Sequence, residues 1–385
     1  MKVSLVILLL LVTVLVVWFW PKHEPALHWV VLTEQQGMLT HRDRAILHTI
    51  EQDWARGLAR DQVRITYVDS ALPQPLLENT LDRIEQTQPI DMLLGCGDSV
   101  CLRNVIPWLR HNKRFLLYPA SSEGLLASDW VVHVGLMGNQ LLLPVVHWLQ
   151  AQPIRDVLMV GSNSARSTML FRMLEAHERW QQQQMTFTTL LLDYAEQFDE
   201  LGEQVLERLP DVLILDVCEW IDQPQRQRAL SALPIPMVSL CADQPIDLMS
   251  GVLVVQQMDA EMNPSVLNLS SPLARNMHWL NQQLQQAVEQ GLVHDAGALR
   301  TFWGLRSGWQ STGTITVDRD LRGTWQSVAL VLQQGERTER VWQSSHAIRP
   351  QEFPSSNSPS TWLHDLTIYW RNAGGFWRTA RVEEL

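Results

Sequence analysis

Short apolar runs alternating with polar turns and amphipathic stretches set the grammar of this chain. The pattern is densest between Pro89 and Leu149. There Met92–Leu94 meets Gly95 and the polar turn Gly97-Asp98-Ser99, and an amphipathic segment follows. Phe115–Tyr118 then stops at Pro119, and a third run from Trp130 to Val134 precedes Asn139-Gln140 and another helical stretch. Strand, polar turn, helix and strand again predicts a parallel sheet with helices on both faces. Ligands of such sheets sit outside the carboxyl ends of the strands. The polar tips at those ends are Asp98, Ser99 and Tyr118.

The same grammar extends both ways. Upstream, strands are expected at Trp29–Leu32 and Val63–Val68, with helices over 40–58 (Ala45, Ile46, Ile50, Trp54 and Leu58 at three- and four-residue spacing) and Leu76–Gln86. After a helix at Gln140–Leu149 the pattern restarts. Strands at Val157–Val160, Phe187–Leu192, Val212–Leu215, Ile235–Leu240 and Val252–Val255 surround helices near Met169–Leu174 and Phe198–Leu209, and a longer helix covers 273–290. This is a second α/β lobe. Beyond it, residues 312–318 alternate, and Ser327–Leu332 and Arg340–Trp342 also read as short strands, antiparallel ones added at the end. A Pro/Ser-rich linker fills 350–360, and an aromatic-rich segment, Trp362 to Arg381, carries no assignment beyond a packing strap.

A chain of 385 residues is long for one core, so two lobes are also the expectation from length. Apolar residues make up 46% against 18% charged, which supports buried cores and argues against disorder. A net charge of −11 disfavours nucleic acid, whose phosphates need a basic footprint. Residues 3–20 are almost wholly apolar and end in Trp18-Phe19-Trp20-Pro21-Lys22. That run is long enough to cross a bilayer, and its aromatic end suits an interfacial anchor better than a cleavage site. An uncleaved signal anchor over 1–24 is therefore expected, with the bulk of the chain extracytoplasmic and no cytoplasmic domain.

The four cysteines, Cys96, Cys101, Cys218 and Cys241, form no C-x-x-C pair, so zinc and thioredoxin-like chemistry are not indicated. All four are expected to be buried and reduced. In an oxidising compartment a Cys218–Cys241 bridge is the open alternative, because both lie near strand ends. Enzyme motifs are missing: there is no G-x-S-x-G, H-E-x-x-H, Walker A or G-x-G-x-x-G, and His111, His133 and His147 lie on different elements. No cofactor or metal is implied.

Gly95-Cys96 through Ser99, Val105-Ile-Pro107, Leu117-Tyr118-Pro119, Glu123-Gly124, Ser128 and Asn139-Gln140 with Pro144 resemble the type I periplasmic binding proteins for urea and short-chain amides. Gly313–Asp318, Val341–Ser344 and Ile348-Arg349-Pro350 are similar to that family's C-terminal strands, so the resemblance spans roughly 28–354. It implies a two-lobed α/β fold, each lobe a doubly wound, mostly parallel sheet, behind the N-terminal transmembrane helix. Residues 28–150 would form lobe 1, 151–311 lobe 2 with a return crossover, 312–354 the strands completing the lobes, and 355–385 the tail. It further implies a ligand-binding set of Asp98, Ser99, Tyr118, Ala120, Ser162 and Asn163. Ser99 would bond an amide, Tyr118 would wall the pocket, and Ala120 would offer backbone groups. The chain departs from the family in having Gly97 after Gly-Cys and no Tyr after Gly161-Ser162-Asn163, which leaves a wider, more polar pocket that Arg166 can face.

Each of these residues also has a structural use. Asp98 and Ser99 suit a helix cap, Ser162 and Asn163 suit a turn, and Asp216, Glu219 and Asp243 suit a solvated rim at the ends of the lobe-2 strands. The expected role is capture of a small polar solute, of the urea or amide class or a relative, for an ABC-type importer, by lobe closure without covalent chemistry. The alternative is a degenerate binding-protein fold acting as a membrane-anchored regulatory or protein-interaction module.

Overall fold

The computed structural model describes residues 27–34, 48, 50, 52–54, 62–124, 128–180, 185–218, 220–221, 223–241, 250–257, 272–295, 316–317, 323–334, 337–350, 367–371 and 377–381. The expected anchor at 3–20 lies outside these residues, as do Glu219 and Asp243. Among the described residues, no helix is long and apolar enough to cross a membrane.

The first sheet is five-stranded, in the order β2-β1-β3-β4-β5. Its strands are β1 (Leu27–Thr33), β2 (Val63–Asp69), β3 (Met92–Gly95), β4 (Phe115–Tyr118) and β5 (Val131–His133), all paired in parallel. A strand covered on both faces reads as an unbroken apolar run rather than an alternating one, and β1, β3 and β4 are buried at every residue. Helices α1 (Gln74–Thr87) and α2 (Ser99–Asn112) connect β2 to β3 and β3 to β4. Of the helix expected over 40–58, residues 48, 50 and 52–54 are described and are helical.

The second sheet repeats the plan. Strands β6 (Asp156–Ser162), β7 (Thr186–Leu192), β8 (Val212–Asp216), β9 (Met237–Ser239) and β10 (Ser250–Gln257) run parallel in the order β7-β6-β8-β9-β10. In chain terms both sheets have the order 2-1-3-4-5, a doubly wound arrangement whose direction reverses beside the first strand. Strands β13 (Val328–Gln334) and β14 (Arg337–Gln343), joined as a hairpin, extend this sheet antiparallel from β10, as expected of the short strand-like runs there. The helices here are α3 (Gly138–Gln150), α4 (Ala165–Trp180), α5 (Ala195–Asp199), α6 (Leu201–Arg208) and α7 (Pro224–Ser231). Two short pairs complete the described elements: β11 (Thr316–Val317) with β12 (Thr324–Trp325), and β15 (Thr367–Arg371) with β16 (Trp377–Arg381). The aromatic tail thus contains a hairpin.

Two helices cover the sheet other than the one that holds the strand before them. Helix α3 follows β5, yet Leu141, Leu142, Val145, Val146 and Leu149 pack with Val157 and Met159 in the second core. Helix α8 (Pro272–Glu289) follows β10, yet Met277, Leu280, Leu284, Ala287 and Val288 pack with Trp29 and Trp54 in the first. Trp54 meets Trp29 edge-on at 4.8 Å between ring centroids, and its Nε1–H donates to Asn281 at 3.4 Å. Asp53 ties the same helix through His278 Nδ1 (2.8 Å) and the Asn281 amide (3.2 Å).

Where the chain passes between lobes, a buried polar network replaces apolar packing. The backbone carbonyl of Val134, just past β5, accepts from Thr324 Oγ1 (3.1 Å) and Gln326 Nε2 (3.0 Å). Gln140, fully buried on α3, accepts from the Met137 N–H and donates to the carbonyls of Thr324 and Ile348, each at 2.9 Å. One side chain thereby joins two of the segments that run between the sheets. Gln140→Ala should cost about 1–3 kcal/mol, the penalty for leaving buried polar groups without partners, read as a lowered midpoint in urea unfolding. An unchanged midpoint would show that water replaces the amide.

Candidate functional site

The carboxyl ends of the two sheets face each other, and the polar groups of the junction come from the loops at those ends. In the first lobe, β3 ends beside β1 at the point where strand order reverses. Gly95 has φ +105°, and a Cβ there would meet the Leu32 carbonyl. The glycine lets the chain leave β3 against β1, with the Cys96 N–H donating to Leu32 O at 3.0 Å. Asp98 then caps α2, accepting from the Cys101 N–H at 2.8 Å. That capping role is the structural use open to Asp98 from the sequence. Ser99, the first residue of α2, points elsewhere: its hydroxyl donates to Glu123 Oε2 at 2.7 Å.

Glu123 comes from the loop between β4 and β5 and is 1% exposed. Burial pushes its carboxyl above the ordinary range; the Ser99 hydroxyl, its own backbone N–H and the nearby Arg166 guanidinium oppose this, and Asp216 adds to it. The influence of Arg166 and Asp216 crosses the lobe boundary. In the sequence Glu123 stands out only as part of a family motif, because nothing in a single Glu between Ser122 and Gly124 reveals burial. Tyr118 and Ala120 are also buried, Tyr118 meeting His133 edge-on at 5.5 Å between centroids.

The second lobe answers with Arg166. Ser164 caps α4, its Oγ accepting the Ser167 N–H at 3.2 Å, so Arg166 sits in the first helical turn after β6. Its Nε donates to Asp216 Oδ1 (3.1 Å), Nη2 to the Leu240 carbonyl (3.1 Å), and Nη1 to Ser121 Oγ (2.8 Å) and Ser121 O (3.3 Å). Asp216 ends β8 and Leu240 follows β9, whereas Ser121 follows β4 of the other lobe. Strands β6 and β8 flank the reversal point of the second sheet, so Arg166 and Asp216 straddle it.

Asp216 is 1% exposed, not on a solvated rim. Two neighbours make its burial tolerable: Arg166, and Ser167, whose Oγ reaches both its Oδ2 (2.7 Å) and its carbonyl (3.0 Å). Ser162 lies in the same cluster, within hydrogen-bonding distance of Ser164 and Ser167. Asn163 does not. Its N–H donates to Leu192 O at 2.7 Å and its amide to Asp193 at 2.8 Å, which turns it toward the β7 side as a turn residue. The structure therefore gathers Ser99, Tyr118, Ala120 and Ser162 at the facing strand ends, uses Asp98 as a cap, and sends Asn163 away.

The cysteines are not reduced. Cys96 pairs with Cys101 and Cys218 with Cys241, at Cα separations of 5.5 and 5.2 Å, inside the usual range for a bridge. Sequence spacing does not show this, because bridging depends on where strand ends and helix starts meet. One bridge holds the β3–α2 turn beside Ser99. The other joins the loops after β8 and β9, next to Asp216 and Leu240. Asp216, Cys218 and Cys241 gather donor atoms within 4.8 Å of one another, but the two sulfurs are joined, so they offer no thiolate to a metal.

Two measurements follow from this geometry. A Cys218→Ser/Cys241→Ser variant frees a segment with sequence separation 23 and should lose about 3 kcal/mol in urea unfolding; no loss would mean the bridge is dispensable. For Glu123, a folded-state pKa above the unfolded value means that folding favours the neutral carboxyl. Stability is full below the unfolded pKa and falls as pH rises through the folded one. Glu123→Gln, which keeps an acceptor for Ser99, should raise Tm at about pH 8 and converge with wild type in acid. A lowered Tm at the higher pH would show that attraction to Arg166 outweighs desolvation.

Residues 35–218, a little under half of the chain, match the family model described as a periplasmic binding protein domain. No curated protein matches the chain in sequence. Among solved structures, a solute-binding protein of an ABC transporter from Rhodopseudomonas palustris, in complex with 3,4-dihydroxybenzoic acid, aligns with a TM-score of 0.69 at 13% identity, covering 84% of this chain and 98% of that one. A leucine-binding protein from Thermotoga maritima aligns at 0.66 with 15% identity, over 82% and 98%. A branched-chain amino acid transporter substrate-binding protein from Streptococcus pneumoniae, in complex with isoleucine, aligns at 0.62 with 11% identity, over 83% and 99%. At such identities the likeness concerns the backbone: this chain has the two-lobed α/β fold of the periplasmic binding proteins.

Proposed function

We propose that this protein is an extracytoplasmic solute-binding protein that takes a small polar molecule between its lobes and hands it to an ABC-type importer. One observation carries the reading: groups of opposite hydrogen-bonding character, the buried Glu123 with its Ser99 partner and the half-buried Arg166 guanidinium, meet at the facing strand ends of the two lobes. A carboxylate accepts N–H groups and a guanidinium donates to oxygen. A compact solute with an N–H at one end and an oxygen at the other complements both, as short amides, urea and small amino acids do. The match to a periplasmic binding protein model and the fold likeness to solute-binding proteins of ABC transporters support the transport setting.

Amides are favoured by the motifs shared with the amide-binding proteins, and carboxylates by Arg166 and by the acids and amino acids named for the structural relatives. Ser99, Tyr118, Ala120 and Ser162 would line the solute in either case. The apolar run at 3–20 would tether the chain to the membrane beside its importer.

Thermal melting of the full chain against urea, short amides, amino acids and aromatic acids tests this. A true ligand at a hundredfold excess over its Kd adds about 2.7 kcal/mol to stability, so one class should raise Tm clearly. Ser99→Ala should then weaken that ligand about tenfold, the cost of about one hydrogen bond at this site. A well-folded protein that shifts with none of the panel would sink the transport reading.

A further inference from the structure

Two acids are enclosed at the junction, and their surroundings differ. Asp216 and Glu123 are each 1% exposed. Asp216 has a cation for a partner: Arg166 Nε donates to its Oδ1 at 3.1 Å, and Ser167 Oγ donates to its Oδ2 at 2.7 Å. Glu123 is held by neutral donors, the Ser99 hydroxyl at 2.7 Å and its own backbone N–H. The Arg166 guanidinium acts on Glu123 as a charge, and Asp216 acts against it. One cation is thus set between two buried carboxyl groups, and its Nε bond goes to the acid of its own lobe.

Buried charges in proteins are paired, because a carboxylate taken out of water loses more than neutral hydrogen bonds restore. With Arg166 bonded to Asp216, Glu123 is short of positive charge. The raised pKa of its carboxyl, caused first by burial, points the same way. Its position is one where a solute would make good the shortfall. Ser99 opens α2 at the carboxyl end of β3, beside the reversal of strand order, and Glu123 lies in the loop after the neighbouring β4. An ionised carboxylate has about four acceptor sites. The serine and the backbone N–H leave room among them for the N–H donors of a bound molecule.

We propose that the site selects small cations carrying N–H donors (protonated amidines, guanidines or amines), with the Glu123 carboxylate as the specificity-determining group. The inference rests on the solute-binding reading and names the charge of the solute. A cationic N–H bonds a carboxylate about twice as strongly as a neutral one, and it supplies to Glu123 the charge that Arg166 gives to Asp216. A neutral amide of the same shape brings its hydrogen bonds without that charge. A zwitterion brings a carboxylate along with its ammonium, and leaves the charge balance of the junction as it was.

The test is isothermal titration calorimetry of the full chain, near neutral pH, with pairs of similar shape that differ in charge. The probes are guanidinium against urea, acetamidinium against acetamide, and ethylammonium against ethanol. At least one cation should bind, with a Kd about tenfold or more below that of its neutral counterpart. Glu123→Gln keeps the shape and an acceptor for Ser99, and should bring that pair to within about threefold of each other. Far-UV circular dichroism checks that the variant folds; if it does not, the pairs measured on the unsubstituted chain decide alone. Cations that fail to bind, or bind no more tightly than their neutral counterparts, overturn the inference. So does a preference that survives in folded Glu123→Gln. The melting panel of amides, amino acids and aromatic acids decides solute binding independently, so the two failures are distinguishable.

Discussion

A buried ion pair constrains the junction of the two lobes more than any other single contact. Asp216 is almost fully buried and Arg166 largely so, with side-chain exposures of 1% and 19%. Removing one partner of such a pair leaves an uncompensated charge and costs about 3–5 kcal/mol. The surrounding structure follows from that constraint. Serines 162, 164 and 167 supply short hydroxyls beside the pair, the Leu240 carbonyl takes a further guanidinium N–H, and Ser121 reaches across from the first lobe. A buried salt bridge contributes little to stability by itself. Here it places a cation where two sheets meet.

The two lobes are less separate than two consecutive domains. Helix α8 completes the first core only after the chain has run through the second lobe, and α3 enters the second core straight from β5 of the first sheet. The crossing segments meet in the network of Val134, Gln140, Thr324 and Gln326, whose groups are polar but satisfied. Directional bonds of this kind can hold a register while the flanking lobes move, whereas an apolar plug would resist any change in angle. The polar network of the crossing segments and the charged junction lie side by side, since the β4–β5 loop that carries Ser121 and Glu123 is bonded to the segment entering α3.

Much of the fold is legible in the chain. The apolar runs mark β4 at its observed ends, and β3, β6 and β8 to within a few residues, because a strand buried on both faces must be apolar throughout. The antiparallel addition after α8 is legible from short strand-like runs. What strand grammar does not convey is which sheet a helix covers: a boundary drawn after residue 150 falls beyond α3, whose apolar face lies in the second core. Helix α7, with few apolar residues, carries no periodic signal.

The site is legible in part, for reasons tied to single residues. Ser99 and Tyr118 stand at strand ends that the apolar runs mark, so sequence alone brings them to the edge where ligands bind. The burial of Asp216 and Glu123 has no local signature, since a lone acid at a turn looks the same whether solvated or enclosed. Whether Cys96 meets Cys101, or Cys218 meets Cys241, depends on how chain ends converge in space. Periodicity and turn chemistry act over a few residues, and they determined the strands, the helices and the parallel sheets. The pairing of Arg166 with Asp216 spans 50 positions and that with Ser121 spans 45. Contacts that distant are set by the packing of whole sheets, and only the tertiary structure decided them.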